Sequence, residues 1–121
     1  MISPTVGFWE VRVTDLERAR GFYCDVLGLV ASPFGEYLML STPDGEPIAG
    51  LEQVADAPPT DGFFRPTFDS DDLEADIAAV EAAGGSVLIP RSQISPEFGW
   101  WAAVADPFGN RFQLSTASPA R

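Results

Sequence analysis

The stretch FWEVRVTDLERA, residues 8–19, decides the fold because it joins a strand to the start of a helix and recurs further along the chain. Its first half alternates between apolar and polar residues up to Val13, which is typical of a half-buried strand. Asp15-Leu16-Glu17 then begins an amphipathic helix, and Asp72-Leu73-Glu74 repeats these residues 57 positions later. The sequence therefore predicts two tandem copies of one structural unit.

Each predicted helix has a polar residue where it begins and glycine where it ends. Asp15 or Thr14 is placed to cap the first helix, and Gly28 suits the left-handed position just after it. Gly84-Gly85 ends the second helix. The run from residue 69 to 76 contains five carboxylates, which we interpret as solvated charges that complement the positive end of that helix, rather than as an ion site.

One strand is predicted before each helix and three after it. The predicted strands are residues 6–13, 29–32, 36–41 and 47–54 in the first copy, and 64–69, 86–89, 99–105 and 110–115 in the second. The fold class is therefore α+β, with two tandem βαβββ modules forming a curved mixed sheet around a cleft. A single domain over residues 1–121 is expected, with module one at about 5–54, a linker at about 55–62 and module two at about 63–116.

Composition excludes several classes of partner. Seven basic and eighteen acidic residues give a net charge of −11, so neither nucleic acid nor an anionic membrane is expected to bind. Cys24 is the only cysteine, which excludes an internal disulfide and is compatible with a cytoplasmic location. We interpret it as a quiet, buried thiol, because the chain contains no histidine to activate it.

Strand alternation predicts which side chains share the face of the sheet opposite the helices. Trp9, Val11 and Val13 should pack beneath the first helix. The opposite face is then predicted to carry Phe8, Glu10 and Arg12 in the first copy, and Arg65, Thr67, Asp69, Arg111, Gln113 and Ser115 in the second. Because both copies reserve the same face for polar side chains, we expect these faces to line one cleft.

These residues resemble the vicinal oxygen chelate superfamily, which includes glyoxalase I, extradiol dioxygenases, fosfomycin-modifying enzymes and bleomycin-binding proteins. The resemblance is carried by residues 8–19, Phe22-Tyr23, Leu27-Gly28-Leu29, Asp72-Leu73-Glu74, Ala83-Gly84-Gly85 and Asp106-Pro107-Phe108-Gly109-Asn110. It is greatest for the small bacterial glyoxalase-like proteins. The resemblance implies a small-molecule ligand and a homodimer.

Members that use a metal hold it with one side chain from each of four strands, usually His, Glu or Gln. The resemblance places these positions at Phe8, at Ala49 or Gly50, at Arg65 and at Gln113. Only Gln113 offers a donor atom, and Arg65 would repel a cation. Neither a cofactor nor a divalent metal is therefore expected, although an oxygen site for Mg²⁺ or Mn²⁺ from Glu10, Glu52 and Gln113 is a weaker alternative.

Three functions are considered from these residues. The first is metal-independent binding of a small aromatic or carbonyl-bearing metabolite or antibiotic. The predicted binding residues are Phe8, Arg12, Phe34, Tyr37, Thr67, Trp101 and Gln113. The second is a metal-independent isomerase, cyclase or lyase, with Glu10 or Glu52 as base and Arg65 stabilising an oxyanion. Metal-dependent lyase or dioxygenase chemistry ranks third.

Two points stay open at this level. Arg65 either binds the ligand or pairs with Glu10 or Glu52 to neutralise the cleft. A group of aromatic residues either stacks on a planar ligand or packs in a core or dimer interface. This group is Phe34, Tyr37, Phe98, Trp100 and Trp101, and alternation requires the last two to point in opposite directions.

Overall fold

A computed structural model describes residues 1, 6–56 and 66–116 of the chain. It divides into two compact units, Met1–Pro58 and Pro59–Arg121. Each unit contains one helix and one four-stranded sheet, which confirms the predicted α+β class and the two βαβββ modules. The grouping of both modules into one domain, with a linker at about residues 55–62, stays a prediction.

The first unit places its first and last strands side by side. It consists of β1 (Trp9–Val13), α1 (Leu16–Leu27), β2 (Val30–Phe34), β3 (Tyr37–Ser41) and β4 (Pro47–Gln53). The strand order is β1-β4-β3-β2, with β1 parallel to β4 and the other pairs antiparallel. Helix α1 makes this order possible, because a helical crossover can return the chain in the direction that a parallel pair needs.

Helix α1 begins and ends where the sequence predicts. Asp15, rather than Thr14, is the N-cap, and its carboxylate accepts a hydrogen bond from the backbone N–H of Arg18 at 3.1 Å. Gly28 ends the helix at φ 67°, which glycine adopts without steric cost. Tyr23 is buried, and its ring centroid lies 6.1 Å from that of Trp9 on β1. The predicted packing of β1 beneath α1 is therefore confirmed.

The second unit repeats this topology. It consists of β5 (Thr67–Asp69), α2 (Leu73–Ala82), β6 (Ser86–Ser95), β7 (Gly99–Ala105) and β8 (Arg111–Thr116). The strand order is β5-β8-β7-β6, with β5 parallel to β8. Leu73, Ile77 and Val80 of α2 are buried, as are Phe112 and Leu114 of β8. These side chains form the apolar layer between helix and sheet.

The acidic run at the start of α2 makes local hydrogen bonds. The Asp72 carboxylate accepts from the backbone N–H of Ala75 at 3.2 Å, and the Ser70 hydroxyl donates to the Asp76 carboxylate at 2.5 Å. Among residues 1, 6–56 and 66–116, no three His, Cys, Asp or Glu side chains are grouped so that they could hold a metal ion. Asp72 is therefore the N-cap of α2, while the interpretation of the other carboxylates as solvated charges that complement the helix dipole stays a prediction.

Among the described residues, two strands differ from their predicted bounds by three residues or more. The predicted strand 6–13 begins only at Trp9, so Phe8 lies just before β1. The strand predicted at 86–89 continues to Ser95, although Pro90 lacks a backbone N–H. This extension is possible because β6 is an edge strand whose register shifts on both sides of Ile89.

The turns before β4 and β8 are built alike. The backbone N–H of Gly45 donates to the carbonyl of Thr42 at 2.9 Å, and that of Gly109 donates to the carbonyl of Asp106 at 3.1 Å. The second turn is reinforced because the buried Asp106 carboxylate also accepts three bonds, from the backbone N–H groups of Phe108 and Asn110 and from the Asn110 side-chain amide, each at 2.8 Å.

None of the helices in the described part of the chain is long and apolar enough to cross a membrane.

Candidate functional site

The far face of the first sheet, meaning the side turned away from α1, carries charged side chains from β1 and β4. Strand pairing places Glu10 beside Gly50 and Arg12 beside Glu52. The Arg12 Nε lies 3.3 Å from the Glu52 Oε1, with side chains 60% and 43% exposed. Arg12 therefore balances the charge of Glu52, while the carboxylate of Glu10 has another partner.

That partner is Tyr37, whose ring crosses the sheet over Gly50. The Tyr37 hydroxyl donates a hydrogen bond to the Glu10 Oε2 at 3.3 Å. A Cβ atom added at Gly50 would lie 1.7 Å from this hydroxyl oxygen and 2.1 Å from the ring Cζ. Because no side chain fits there while the ring lies in this position, Gly50 is what allows Tyr37 to reach Glu10.

The surroundings of Tyr37 keep its hydroxyl protonated. Burial has the largest effect and raises the pKa of Tyr37, and the Glu10 carboxylate and then the Glu52 carboxylate raise it further. At neutral pH the phenol is therefore a hydrogen-bond donor to Glu10. The pair can hold a proton at one point of the far face and offer carboxylate and phenol oxygens to a ligand.

The far face of the second sheet carries a chain of three hydrogen-bonded side chains. The Arg111 Nη2 donates to the Gln113 Oε1 at 3.1 Å, and the Gln113 Nε2 donates to the Thr67 hydroxyl oxygen at 3.2 Å. Because arginine can only donate, the Gln113 atom facing it must be the carbonyl oxygen. Both polar atoms of the amide are therefore already engaged.

Trp101, not Trp100, shares this far face. Trp101 is the cross-strand partner of Ser115, which lies two residues beyond Gln113 on β8. Trp100 pairs with the buried Thr116 instead, and the Arg91 guanidinium lies 4.2 Å above its ring. The choice that the sequence left open is thus made by strand register.

Register also decides which residue of β4 corresponds to Gln113. Glu10 pairs with Gly50 in the first unit, just as Thr67, 57 positions after Glu10, pairs with Gln113 in the second. Ala49 pairs with Trp9 and is fully buried on the side of α1. Gly50 is therefore the position where the resemblance implies a metal ligand.

The described residues do not fit the implied metal. Gly50 has no donor atom and is covered by the Tyr37 ring, Phe8 has no donor atom, and the oxygen of Gln113 accepts from Arg111. The alternative oxygen site from Glu10, Glu52 and Gln113 is also disfavoured, because the Glu52 carboxylate already lies against the Arg12 guanidinium. Arg65, the remaining position, lies outside the described residues.

The other predicted site residues are more scattered. Phe34 pairs with Tyr37 across β2 and β3 and is 69% exposed, while Phe98 is 66% exposed in the turn before β7. Phe8 is 43% exposed. A hollow of about 440 Å³ is lined by Leu16, Glu36 and Gln53, which the sequence analysis did not single out. It does not include the paired charges of the far face.

Sequence reasoning missed two roles. Gly50 was considered only as a position lacking a donor, although a glycine inside a strand often marks a close approach by another group. Arg111 was placed on the correct face but not among the site residues. Its position two residues before Gln113 on the same strand was the available signal, since such side chains are neighbours on one face.

Sequence comparison places the chain in a family. The sequence model of the glyoxalase-like domain matches residues 9–115, so the chain belongs to the glyoxalase-like domain family. No curated protein sequence matches it significantly. The family assignment thus agrees with the resemblance read from the repeated motifs.

Solved structures share the fold at low identity. A glyoxalase/bleomycin resistance protein from Albidiferax ferrireducens T118 is 20% identical over 93% of this chain and 98% of its own, with a TM-score of 0.73. The fosfomycin resistance protein FosX from Listeria monocytogenes is 16% identical over 98% of this chain and 96% of its own, with a TM-score of 0.77. A glyoxalase-related enzyme from Fulvimarina pelagi is 21% identical over 94% and 88%, with a TM-score of 0.69. At these identities the likeness establishes the fold alone.

Proposed function

We propose that this chain is a metal-independent glyoxalase-like protein that binds a small aromatic or carbonyl-bearing metabolite or antibiotic. The observation that carries the proposal is the Tyr37 ring over Gly50, with its hydroxyl bonded to Glu10. The phenol lies over Gly50, where the resemblance implies a metal ligand, and the carboxylate lies beside it on the neighbouring strand. The polar contact with a ligand then comes from hydrogen bonds rather than from a metal ion.

The chemistry of both far faces suits such a ligand. Small-molecule sites combine apolar and aromatic contact area with a few well-placed polar groups that fix orientation. On the first sheet the ring and hydroxyl of Tyr37 lie beside Glu10, and on the second sheet Trp101 shares a face with Gln113 and Thr67, so each face by itself has this combination. One structural relative is described as a glyoxalase/bleomycin resistance protein and another as a fosfomycin resistance protein. These descriptions support an antibiotic as one kind of ligand. We further propose a cytoplasmic homodimer, as the resemblance and composition indicate.

Metal analysis and ligand screening test this proposal together. Protein purified without chelators should contain no stoichiometric Ni²⁺, Zn²⁺, Mn²⁺ or Fe²⁺. A thermal-shift screen of aromatic acids, aromatic ketones and natural products should find ligands that raise Tm equally with and without EDTA. Tyr37→Phe should weaken such a ligand about fivefold to tenfold, the loss expected for one hydrogen bond. Stoichiometric metal, or binding that EDTA abolishes, would show that the proposal is wrong.

A second candidate is a metal-independent isomerase, cyclase or lyase that uses Glu10 as a general base. The Tyr37–Glu10 hydrogen bond favours it, because a carboxylate paired with a neutral phenol can exchange a proton with a bound substrate. Glu52 is the less suitable candidate because its carboxylate already lies 3.3 Å from the Arg12 guanidinium. Arg65 as stabiliser of an oxyanion remains part of this candidate.

Paired variants distinguish the two functions once a ligand is known. Glu10→Gln should abolish turnover while leaving binding within a few fold, and Glu52→Gln should retain turnover. If wild-type protein binds the ligand and returns it unchanged on long incubation, the binding function stands and the enzyme does not.

A further inference from the structure

The three hydrogen-bonded side chains on the second sheet have more donor groups than their own acceptors use. Gln113 accepts a hydrogen bond from Arg111 and donates one to Thr67, so both polar atoms of its amide are engaged. The Arg111 guanidinium has five N–H groups in a planar fork, and Gln113 uses one of them. The Thr67 hydroxyl oxygen accepts from Gln113, so its own proton can be donated to a further acceptor. These three side chains therefore offer several hydrogen-bond donors to a ligand that carries acceptor oxygens.

Gln113 also positions the guanidinium. The bond from Nη2 to Oε1 turns the Arg111 side chain along β8 toward Gln113 and Trp101, rather than away from the sheet. Arg111 is half-buried, and a partly shielded cation forms a stronger pair with an anion than a fully exposed one. A planar guanidinium held in this way matches the two oxygens of a carboxylate.

Small side chains separate Arg111 from Trp101 on the far face. Ala105 and Ala103 on β7 are the cross-strand partners of Arg111 and Gln113, and Trp101 follows as the partner of Ser115. The guanidinium is held at Gln113, which is two residues from Ser115, the partner of Trp101. Side chains at this spacing are about 7 Å apart, roughly the length of a substituted benzene ring. The far face thus leads from a cation, past the buried methyl groups of Ala105 and Ala103, to a half-buried indole.

We propose that this face of the second sheet binds an aryl carboxylate, with the carboxylate on Arg111 and Thr67 and the ring against Trp101. This inference rests on the proposed function, because it names the chemical class of its ligand. Asp69 lies on the same face as the partner of Ser115, at the end nearer Trp101. Its charge repels an anion there and so orients the carboxylate toward Arg111. A dianionic phosphate fits less well, because the chain as a whole carries a net charge of −11.

Isothermal titration of the full chain with four simple probes tests the ligand class. Benzoate carries both a ring and a carboxylate, benzamide keeps the ring without the charge, acetate keeps the charge without the ring, and inorganic phosphate is the alternative anion. Benzoate should bind saturably, and at least tenfold more tightly than each of the other three. Absence of benzoate binding, or equal affinity for benzamide or phosphate, would overturn the proposal.

Three variants test the residues. Arg111→Met should weaken benzoate at least tenfold. Gln113→Glu should do the same, because the new carboxylate would occupy the guanidinium without changing the shape of the side chain. Arg91→Met is the matched control: Arg91 is also half-buried, and its Nε, like that of Arg111, is covered and has no hydrogen-bond partner among the described residues. It stacks on Trp100, however, and so should leave benzoate affinity unchanged.

The outcomes separate this inference from the proposed function. Circular dichroism and Tm establish that each variant folds. If Arg91→Met and Arg111→Met weaken benzoate equally, the assigned contact is wrong. Stoichiometric metal in the purified protein would refute the proposed function, while a selective loss in Arg111→Met would still support the carboxylate contact.

Discussion

Replacement of Gly50 by alanine separates the Tyr37 ring from Glu10 without removing either side chain. The added Cβ would lie 1.7 Å from the Tyr37 hydroxyl oxygen and 2.3 Å from the ring Cε2. Carbon atoms in contact are normally about 3.5 Å or more apart, so the ring must retreat by more than about 1 Å. A hydrogen bond that is already 3.3 Å long does not survive that movement.

The free energy of unfolding is a poor measure of this change. Loss of the hydrogen bond costs about 1 kcal/mol. Alanine in place of glycine inside a strand raises the free energy of unfolding by about 0.5–1 kcal/mol, because glycine loses more backbone entropy on folding. Gly50 has no positive φ angle that would penalise alanine. The two effects nearly cancel, so stability alone cannot decide whether Tyr37 has moved.

The pKa of Tyr37 is the decisive measurement. Burial and the Glu10 carboxylate hold it above its ordinary value, and a displaced ring loses both influences. Ultraviolet titration of tyrosine ionisation should therefore show a lower pKa for Tyr37 in Gly50→Ala. The chain has two tyrosines, and Tyr37→Phe identifies the contribution of the other, buried Tyr23. An unchanged Tyr37 titration in Gly50→Ala would refute the reasoning.

The same shift predicts a pH dependence. A group whose pKa is raised by folding stabilises the folded state below its unfolded pKa, about 10 for tyrosine. This contribution is lost as the pH rises through the folded pKa of Tyr37. Urea denaturation above about pH 10 should therefore show a smaller decrease of stability with pH in Tyr37→Phe than in the wild type.

Three further measurements follow from the structure. Asp106→Ala should lower the free energy of unfolding, measured in urea, by about 3 kcal/mol, because a buried carboxylate that accepts three hydrogen bonds is lost. Thr42→Ala in the equivalent turn should lower it by about 1 kcal/mol. Equal losses would contradict this account. Glu52→Gln should change stability by less than about 1 kcal/mol because its pair with Arg12 is largely exposed, and a loss above about 2 kcal/mol would show a stronger coupling than the geometry supports. Burial raises the pKa of the Cys24 thiol, so iodoacetamide should modify it more slowly in the folded than in the urea-denatured protein at pH 8, and equal rates would be unexpected.

Local sequence patterns were sufficient for most of the fold. Asp15 caps α1 and Gly28 ends it, as their chemistry predicts, because both effects act within one helical turn. The repeat at 57 positions reappears in the strand register, where Glu10 and Thr67 hold equivalent places. The strand predicted at residues 86–89 was too short, since β6 continues through Pro90 to Ser95. Proline is tolerated there because the strand lies at an edge, which only the sheet order shows.

The candidate site was predictable only in part. Strand alternation placed Glu10, Arg12, Thr67 and Gln113 on the faces where the structure has them, because alternation is a property of one strand. It could not predict that Arg12 pairs with Glu52, or that Tyr37 reaches Glu10 from 27 residues away. These contacts depend on which strands are neighbours and in what register.

The sequence by itself determined the two βαβββ units, the helix ends, the repeated turns and the polar face of each sheet, because all of these depend on residues close together in the chain. Only the tertiary structure decided that Gly50, not Ala49, lies opposite Glu10, that Tyr37 covers it, and that Trp101 rather than Trp100 shares a face with Gln113. Each of these depends on register, since a shift of one residue between two strands moves every side chain to the other face.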